Sequence, residues 1–217
     1  MPFENRAQAA EKLIERLAKY RGQHPLVLAI PRGAVPMGRI IAEGLGGDLD
    51  VVLVHKLRAP QNPELAIGSI DDTGAVYLDP DTRGLWTDAY LEREKQAELA
   101  TLTERRSRYG QMCPPLPVQG RVVIVVDDGI ATGSTMIAAL RAVRARGPAT
   151  LVAATAVAPA ETLRALRREA DEVVCVEVPE VMYAIGLHFR DFSQVSDDEA
   201  VAALRDARRA RAATQAG

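Results

Sequence analysis

The stretch VVIVVDDGIATGST, residues 122–135, decides the fold. Five β-branched apolar residues are followed by two acids, a glycine-rich turn and a helical pattern that continues to about residue 146. The apolar run predicts a buried strand, and a strand that turns directly into a helix is typical of a parallel α/β sheet. Ligands of such sheets bind at the carboxyl ends of the strands, which is where Asp127 and Asp128 stand.

The turn after the two acids is suited to a phosphate group. A helix start presents backbone N–H groups and the positive end of the helix dipole. Gly129 and Gly133 let the backbone approach an anion closely, and three side-chain hydroxyls add donors: Thr132, Ser134 and Thr135. The alternative is an ordinary strand-to-helix turn in which the acids only cap the helix. A P-loop and a dinucleotide-binding turn are excluded, because no lysine follows Gly133 and no GxGxxG is present.

Asp127 and Asp128 predict a second chemical group beside the phosphate. Two carboxylates would repel a phosphate, but they suit sugar hydroxyls or a hydrated Mg²⁺. A ligand with a phosphate at one end and a metal-bound diol at the other would satisfy both halves of the motif.

Strands and helices alternate along the rest of the chain. Apolar runs predict strands over residues 26–30, 50–55, 151–158 and 172–178. Helical spacing predicts helices over residues 3–21, 34–43, 161–170 and 196–213. The other predictions are a hairpin of 67–70 with 75–78, a long charged helix over 87–109 and a mobile loop over 56–66. This pattern predicts a single α/β domain over residues 1–217, a Rossmann-like parallel sheet flanked by helices, with its core over about 22–178.

The composition excludes several classes of protein. The chain has 217 residues, 47% of them apolar, and a formal charge of -2, which disfavours disorder and general binding of nucleic acid or anionic membranes. No apolar run approaches the roughly 18 residues of a membrane span, and the polar first residues form no signal peptide, so we expect a cytoplasmic protein. Cys175 is expected to be buried and Cys113 falls in a predicted loop; the cysteine and histidine spacing gives no zinc signature.

Basic residues follow two other predicted strands. Arg32, within Pro31-Arg32-Gly33, is suited to a diphosphate, and the alternative is a surface arginine in a turn. Lys56 would meet the same group as a point charge, and the alternative is a solvated lysine. Its neighbour His55 has no evident partner and is interpreted as structural.

Residues 122–135 closely resemble the phosphoribosyl-pyrophosphate (PRPP) signature of the type I phosphoribosyltransferases, and a less specific resemblance covers roughly residues 20–195. The resemblance implies that Asp127 and Asp128 contact the ribose hydroxyls and the Mg²⁺ shell. It also implies that the following residues hold the 5′-phosphate: Ala131, Thr132, Gly133, Ser134 and Thr135.

The same resemblance assigns the pyrophosphate end of the substrate. Arg32 and Gly33 match the family's pyrophosphate loop, which often contains a non-proline cis peptide, and this makes Pro31–Arg32 the candidate bond. Lys56 is close to a basic residue that touches pyrophosphate in relatives. The predicted loop after it takes the place of the family's mobile lid, with two residues that would close over substrate: Arg58 and Glu64.

The acceptor side departs from the best-known members. Where the 6-oxopurine enzymes have an Asp acting on the base, this chain has Ala131, so hypoxanthine and guanine are disfavoured and the acceptor stays open. A hood over the acceptor is expected from residues 1–21 and 179–217. Its aromatic-rich part is either an acceptor platform or core packing: Tyr183, His188, Phe189 and Phe192.

The function expected from this resemblance is a Mg²⁺-dependent transfer of 5-phosphoribosyl from PRPP to a nitrogenous base or similar small acceptor, with release of pyrophosphate. The alternative is a non-catalytic protein that senses PRPP or a nucleotide and acts as a regulator. Neither a membrane nor nucleic acid is expected as a partner, a homo-oligomer is left open, and no general acid or base is identified.

Overall fold

The computed structural model describes residues 2–60, 62–109 and 115–215, without the side chains of 63, 64 and 212–215. This part of the chain forms six α-helices and eight β-strands. The helices are α1 (Arg6–Arg16), α2 (Ala34–Leu45), α3 (Asp88–Arg108), α4 (Ser134–Ala145), α5 (Ala160–Leu166) and α6 (Asp197–Gln215). The strands are β1 (Leu26–Ala29), β2 (Asp48–Val51), β3 (Val54–Ala59), β4 (Asn62–Asp71), β5 (Val76–Leu78), β6 (Val122–Asp127), β7 (Thr150–Val157) and β8 (Glu172–Glu177).

Five strands form the predicted parallel sheet, in the order β2-β1-β6-β7-β8. The central strand β6 is covered on both faces, because its alternating residues enter two separate apolar clusters. Ile124 and Val126 pack with α1, α2 and α6, while Val123 and Val125 pack with α4 and α5. All four side chains are fully buried, so the apolar run of residues 122–126 forms the centre of the core. The predicted α/β class is confirmed.

A second, antiparallel sheet of three strands, β3-β4-β5, corrects two predictions. The predicted strand over 50–55 is divided: β2 ends at Val51, and β3 begins at Val54 in the other sheet. The predicted mobile loop over 56–66 is mostly strand. Its prolines suggested a loop, but Pro60 lies in the turn between β3 and β4, and Pro63 lies where the register of the pair is irregular. The predicted pairing of 67–70 with 75–78 is confirmed.

The long helix α3 packs on the second sheet. Thr87 caps its start by accepting a bond from the Tyr90 backbone N–H, and only Leu91 and Leu102 are fully buried along its 21 residues. Near its end, Arg106 donates two bonds to the Asp50 carboxylate at the end of β2, at 2.7 and 2.8 Å. These contacts bring the last turns of α3 to the carboxyl edge of the parallel sheet.

The terminal helices lie on one face of the sheet. The predicted helix over 3–21 is shorter, because α1 begins after the Asn5 cap and a short 3-10 turn follows it over Ala18–Tyr20. The start of α6 is as predicted, since Ser196 and Glu199 form a reciprocal capping box. Cys113 lies outside the described residues. Cys175 lies in β8, where burial raises the pKa of its thiol to about 11.

Candidate functional site

Two predicted site segments meet at the carboxyl edge of the sheet. The strands β1 and β6 are parallel neighbours, so the turn Pro31-Arg32-Gly33 after β1 lies beside Asp127 and Asp128 at the end of β6. The Pro31–Arg32 peptide bond is cis, as predicted. Gly33 is packed against Asp128 so closely that a Cβ there would come within 2.3 Å of the Asp128 Oδ2 atom.

The two acids at the end of β6 have different surroundings. Burial, and then the charge of Asp128, raise the pKa of Asp127 well above its usual range. The Asp127 Oδ1 atom accepts a 2.9 Å bond from the Asp128 backbone N–H. Asp128 itself is compensated, because Arg6 Nε in the first turn of α1 donates a 2.8 Å bond to its Oδ2 atom.

The turn over residues 129–135 leads from the end of β6 into the start of α4. Gly133 takes a left-handed conformation, with φ of 80°, and no side chain caps the helix. The first N–H groups of a helix have no partner within the helix, so those at the start of α4 are available to an anion. Thr132 and Thr135 are exposed beside them. The Thr162 hydroxyl on α5 fixes the turn by donating a 2.6 Å bond to the Ala131 carbonyl.

A cavity of about 850 Å³, here called the edge cavity, lies next to Asp128 and the turn after β1, and residues 129–135 are not part of its lining. Asp128 and the turn after β1 form its floor. The last turns of α3 form one wall, with these residues: Thr101, Glu104, Arg105, Arg108 and Tyr109. The segment before α6 forms the other wall, with these residues: Ile185, Phe192, Gln194, Val195 and Asp197. A cavity of this size accommodates a small substrate.

The arginines of the edge cavity differ in their partners. Arg32 Nη1 lies 3.6 Å from Asp197 Oδ1, and Arg108 Nη2 lies 3.1 Å from Glu104 Oε1. Arg105 lies close to the Tyr109 side chain, and among the described residues no carboxylate lies within 4.0 Å of its guanidinium. Its charge is therefore available to an anionic ligand in the cavity.

Lys56 is not brought into the edge cavity. Its side chain is exposed on β3, and alternation along the strand directs the neighbouring His55 to the cavity instead. His55 has the partner that the sequence did not reveal, because its Nδ1 atom is hydrogen-bonded to Glu98 Oε2 of α3. Arg58 reaches the same glutamate at 3.5 Å, and the Glu64 side chain lies outside the described residues. The assignments of Lys56, Arg58 and Glu64 to substrate stay predictions.

Of the four residues predicted for the hood, Phe189 and Phe192 pack on each other, and Tyr183 and His188 do not join them. Phe189 is buried against Phe3, with ring centroids 5.2 Å apart, and it stacks on Phe192 at 4.8 Å. The Arg6 guanidinium carbon lies 3.9 Å from the centre of the Phe192 ring. His188 Nδ1 lies 3.1 Å from Glu177 Oε1, and the Tyr183 side chain is exposed. These contacts favour the core-packing interpretation for Phe189, whereas Phe192 is half-buried and lines the edge cavity.

Arg6 and Arg105 are the site residues that the sequence did not indicate. Each is one arginine in a charged helix, and Arg6 is separated from Asp128 by 122 positions along the chain. A charged helix is ordinarily a solvated surface, so no local pattern distinguishes these two arginines from the others.

The donors at the end of β6 fit a Mg²⁺ that arrives with its substrate. Among the described residues no group of three or more His, Cys, Asp or Glu side chains could hold a metal by itself. Mg²⁺ usually keeps several waters and binds one or two carboxylates together with substrate phosphates, which is what Asp127 and Asp128 offer. In the same described part, no helix is both long and apolar enough to span a membrane.

A family model, a solved structure and a curated protein each match this chain over most of its length. The family model described as phosphoribosyl transferase domain matches residues 3–189. The crystal structure of TT1426 from Thermus thermophilus is 40% identical, with a TM-score of 0.88, over 95% of this chain and 99% of that one. Rv0571c of Mycobacterium tuberculosis H37Rv, whose name assigns it provisionally to the phosphoribosyl transferases, is 39% identical over 209 residues. That match covers 95% of this chain and 47% of Rv0571c, so the chain spans about half the length of this relative.

Proposed function

The chain belongs to the phosphoribosyl transferase domain family, and from that membership we propose that it is a Mg²⁺-dependent enzyme that transfers 5-phosphoribosyl from PRPP to a small nitrogenous acceptor. The observation that carries the proposal is the meeting of three groups at one sheet edge. These are the two acids Asp127 and Asp128, the turn Arg32-Gly33, and the uncapped start of α4. They suit the ribose, the diphosphate and the 5′-phosphate of one ligand.

The start of α4 would bind the 5′-phosphate of PRPP. Backbone N–H groups and the helix dipole provide sequence-independent attraction for an anion, and the exposed hydroxyls of Thr132 and Thr135 add donors. Gly129, Ala131 and Ser134 complete this turn with little side-chain bulk.

The acids and the arginines would bind different parts of the rest of PRPP. Asp128 and Asp127 accept hydrogen bonds from the ribose hydroxyls, while Arg32 and the uncompensated Arg105 face the diphosphate. Mg²⁺, when bound, would supply positive charge to the diphosphate oxygens. In the reaction the bond from ribose C1 to the diphosphate oxygen breaks, a bond from C1 to the acceptor nitrogen forms, and that nitrogen loses a proton. Positioning and charge stabilisation would account for most of the catalysis.

The acceptor would occupy the edge cavity between α3 and the segment before α6. Its walls are rich in polar and charged groups, so we propose a polar acceptor. Ala131 continues to argue against a 6-oxopurine, because it has no carboxylate to share the proton of the base. PRPP and this acceptor are the proposed partners, with the cytoplasm as the expected location.

The primary test is isothermal calorimetry of PRPP with and without millimolar Mg²⁺. We expect binding that requires Mg²⁺ and that weakens roughly a hundredfold in Asp127→Asn/Asp128→Asn, because the ribose and metal contacts are lost. A charge-matched control removes two exposed acids away from the cavity, Glu92→Gln/Glu161→Gln, and should bind normally. Absence of PRPP binding by the unaltered protein would contradict the proposal, and unfolding of the Asp127/Asp128 variant would favour a capping role for these acids.

Turnover is tested by pyrophosphate release from PRPP with a panel of purine, pyrimidine and pyridine acceptors. Release that depends on one acceptor would identify the substrate. Binding of PRPP without turnover of any acceptor would instead favour the regulatory alternative.

A further inference from the structure

The Arg6 guanidinium joins the carboxylate of Asp128, the proposed ribose ligand, to the segment before α6 on the opposite side of the edge cavity. Its Nε atom donates to Asp128 Oδ2 at 2.8 Å, and its Nη1 atom donates to the Ser193 carbonyl at 2.7 Å. Its carbon lies 3.9 Å from the centre of the Phe192 ring. The side chains of Arg6 and Asp128 are only 13% and 10% exposed, so these contacts are largely shielded from water.

Arg6 is held by a small unit made from both ends of the chain. The Phe3 N–H donates to the His188 carbonyl at 2.7 Å, and the Arg190 N–H donates to the Phe3 carbonyl at 2.8 Å. We call residues 3–6 with residues 188–193 the terminal unit. Arg6 is the residue through which this unit contacts Asp128.

The contacts of Asp128 leave one of its oxygens for a ligand. Oδ2 accepts the bond from Arg6 and packs against Gly33. Among the described residues no hydrogen bond to Oδ1 is formed. A ribose hydroxyl could therefore bind Oδ1 without displacing Arg6. Arg6 would therefore position the Asp128 carboxylate without blocking the oxygen that binds ribose.

We propose that Arg6 is a positioning residue that orients Asp128 for ribose and transmits the binding of PRPP to the terminal unit. The inference rests on the proposed function and extends it to a residue outside the PRPP signature. The electrostatic reason is that the Asp128 carboxylate lines the cavity proposed for a polyanionic substrate, and Arg6 compensates its charge. Removing the guanidinium would leave that carboxylate uncompensated and free to rotate, so affinity for PRPP should fall.

The first test compares Arg6 with Arg16 on the same helix. Arg16 also ties α1 to backbone carbonyls, those of Cys175 and Val176, but it does not line the edge cavity. With Mg²⁺ present, calorimetry should show PRPP binding at least about tenfold weaker in Arg6→Ala, an intermediate loss in Arg6→Lys, and no change in Arg16→Ala. Guanidinium ion at millimolar concentration, far below denaturing levels, should partly restore binding to Arg6→Ala alone, an effect that a merely structural role would not produce.

The second test measures the coupling directly by hydrogen exchange. PRPP should increase the protection of residues 188–193 in the unaltered protein and in Arg16→Ala, and this increase should be lost in Arg6→Ala. Unchanged or tighter PRPP binding in Arg6→Ala, or an increase in protection that survives the substitution, would overturn the inference. If Arg6→Ala melts below the assay temperature, calorimetry of Arg6→Lys, which keeps the charge, decides. The inference then requires weaker PRPP binding in Arg6→Lys than in the unaltered protein. Failure of the unaltered protein to bind PRPP is a separate result, and it would overturn the proposed function itself.

Discussion

Gly33 is the residue at which the two halves of the candidate site are in closest contact. Its backbone is right-handed helical, with φ of -53°, so an alanine would suffer no backbone strain there. The added Cβ would instead lie 2.3 Å from Asp128 Oδ2 and force the carboxylate to move. We expect Gly33→Ala to weaken PRPP binding by about tenfold or more in calorimetry.

Gly22 provides a control in which the substitution should change stability and leave PRPP binding unchanged. Gly22 has φ of 77° and no atom within 4 Å of its would-be Cβ. Gly22→Ala should therefore lower the free energy of unfolding, by about 1 kcal/mol, and leave PRPP binding unchanged. Normal PRPP binding by Gly33→Ala would show that Asp128 has room to adjust and that its orientation matters little.

Single residues were predictable where their role is local. The adjacent acids, the glycine turn and the candidate cis bond all follow from short motifs, and the structure places the acids beside the turn after β1. Arg6 was not predictable, because its contacts join positions near both ends of the chain to the middle. A pattern read along the sequence holds no information on such a pairing.

At the scale of elements, helix α3 forms one wall of the edge cavity. Arg105 on this helix has no carboxylate within 4.0 Å among the described residues. We propose that it faces the diphosphate, so Arg105→Gln should weaken PRPP binding by about tenfold while binding of ribose 5-phosphate stays unchanged. The two ligands differ by the diphosphate alone, so calorimetry with both isolates that group.

Arg93 is the matched control on the same helix. It is exposed, its one hydrogen bond to another described residue is to the Ala89 carbonyl, and it does not line the edge cavity. Arg93→Gln should bind both ligands normally. An equal loss of both ligands in Arg105→Gln would place this arginine elsewhere, and no loss of either would remove it from the site.

Elements were predicted well where their apolar pattern is continuous. The five parallel strands follow from such runs, but their order, β2-β1-β6-β7-β8, comes from the structure alone. The pair β3 and β4 was missed because prolines at 60 and 63 are strong loop signals. The structure tolerates them at a turn and at an irregular part of the pairing, which tertiary packing of Leu57 and Ile67 stabilises.

At the scale of the whole molecule, a buried ionic network joins both sheets to the helices. Asp50 of β2 accepts bonds from Arg106 of α3 and from the Leu116 backbone N–H, and Arg208 of α6 lies 3.4 Å away. Asp71 of β4 lies 3.4 Å from Arg146, just after α4. Because removing one partner of a buried pair leaves a charge uncompensated, the network ties the position of α3 to the rest of the fold.

Asp72 is the member of this network that should make stability depend on pH. Its side chain is 2% exposed, and within the described part of the chain its Oδ2 atom has no hydrogen-bond partner, although Arg106 Nη1 lies 3.3 Å away. Burial raises the pKa of Asp72 to about 6, and the nearby Asp71 and Asp50 add to this, while Arg106 opposes it. An unfolded aspartate titrates near 4, so between about pH 4 and 6 the folded state binds more protons. The contribution of Asp72 therefore becomes destabilising as the pH rises through that range.

The prediction is that Asp72→Asn removes this dependence. In urea unfolding the variant should match the unaltered protein at pH 4 and exceed it at pH 8, with a difference in unfolding free energy on the order of 2 kcal/mol. Asp81→Asn, at an exposed position in the same region, should show no such divergence. A difference that is constant from pH 4 to pH 8, or a variant that is less stable at pH 8, would mean that the contact with Arg106 outweighs the burial of the carboxylate. The joining of α3 to the core would then depend on Asp72 as well as Asp50, and Asp72→Asn should also weaken PRPP binding by displacing Arg105.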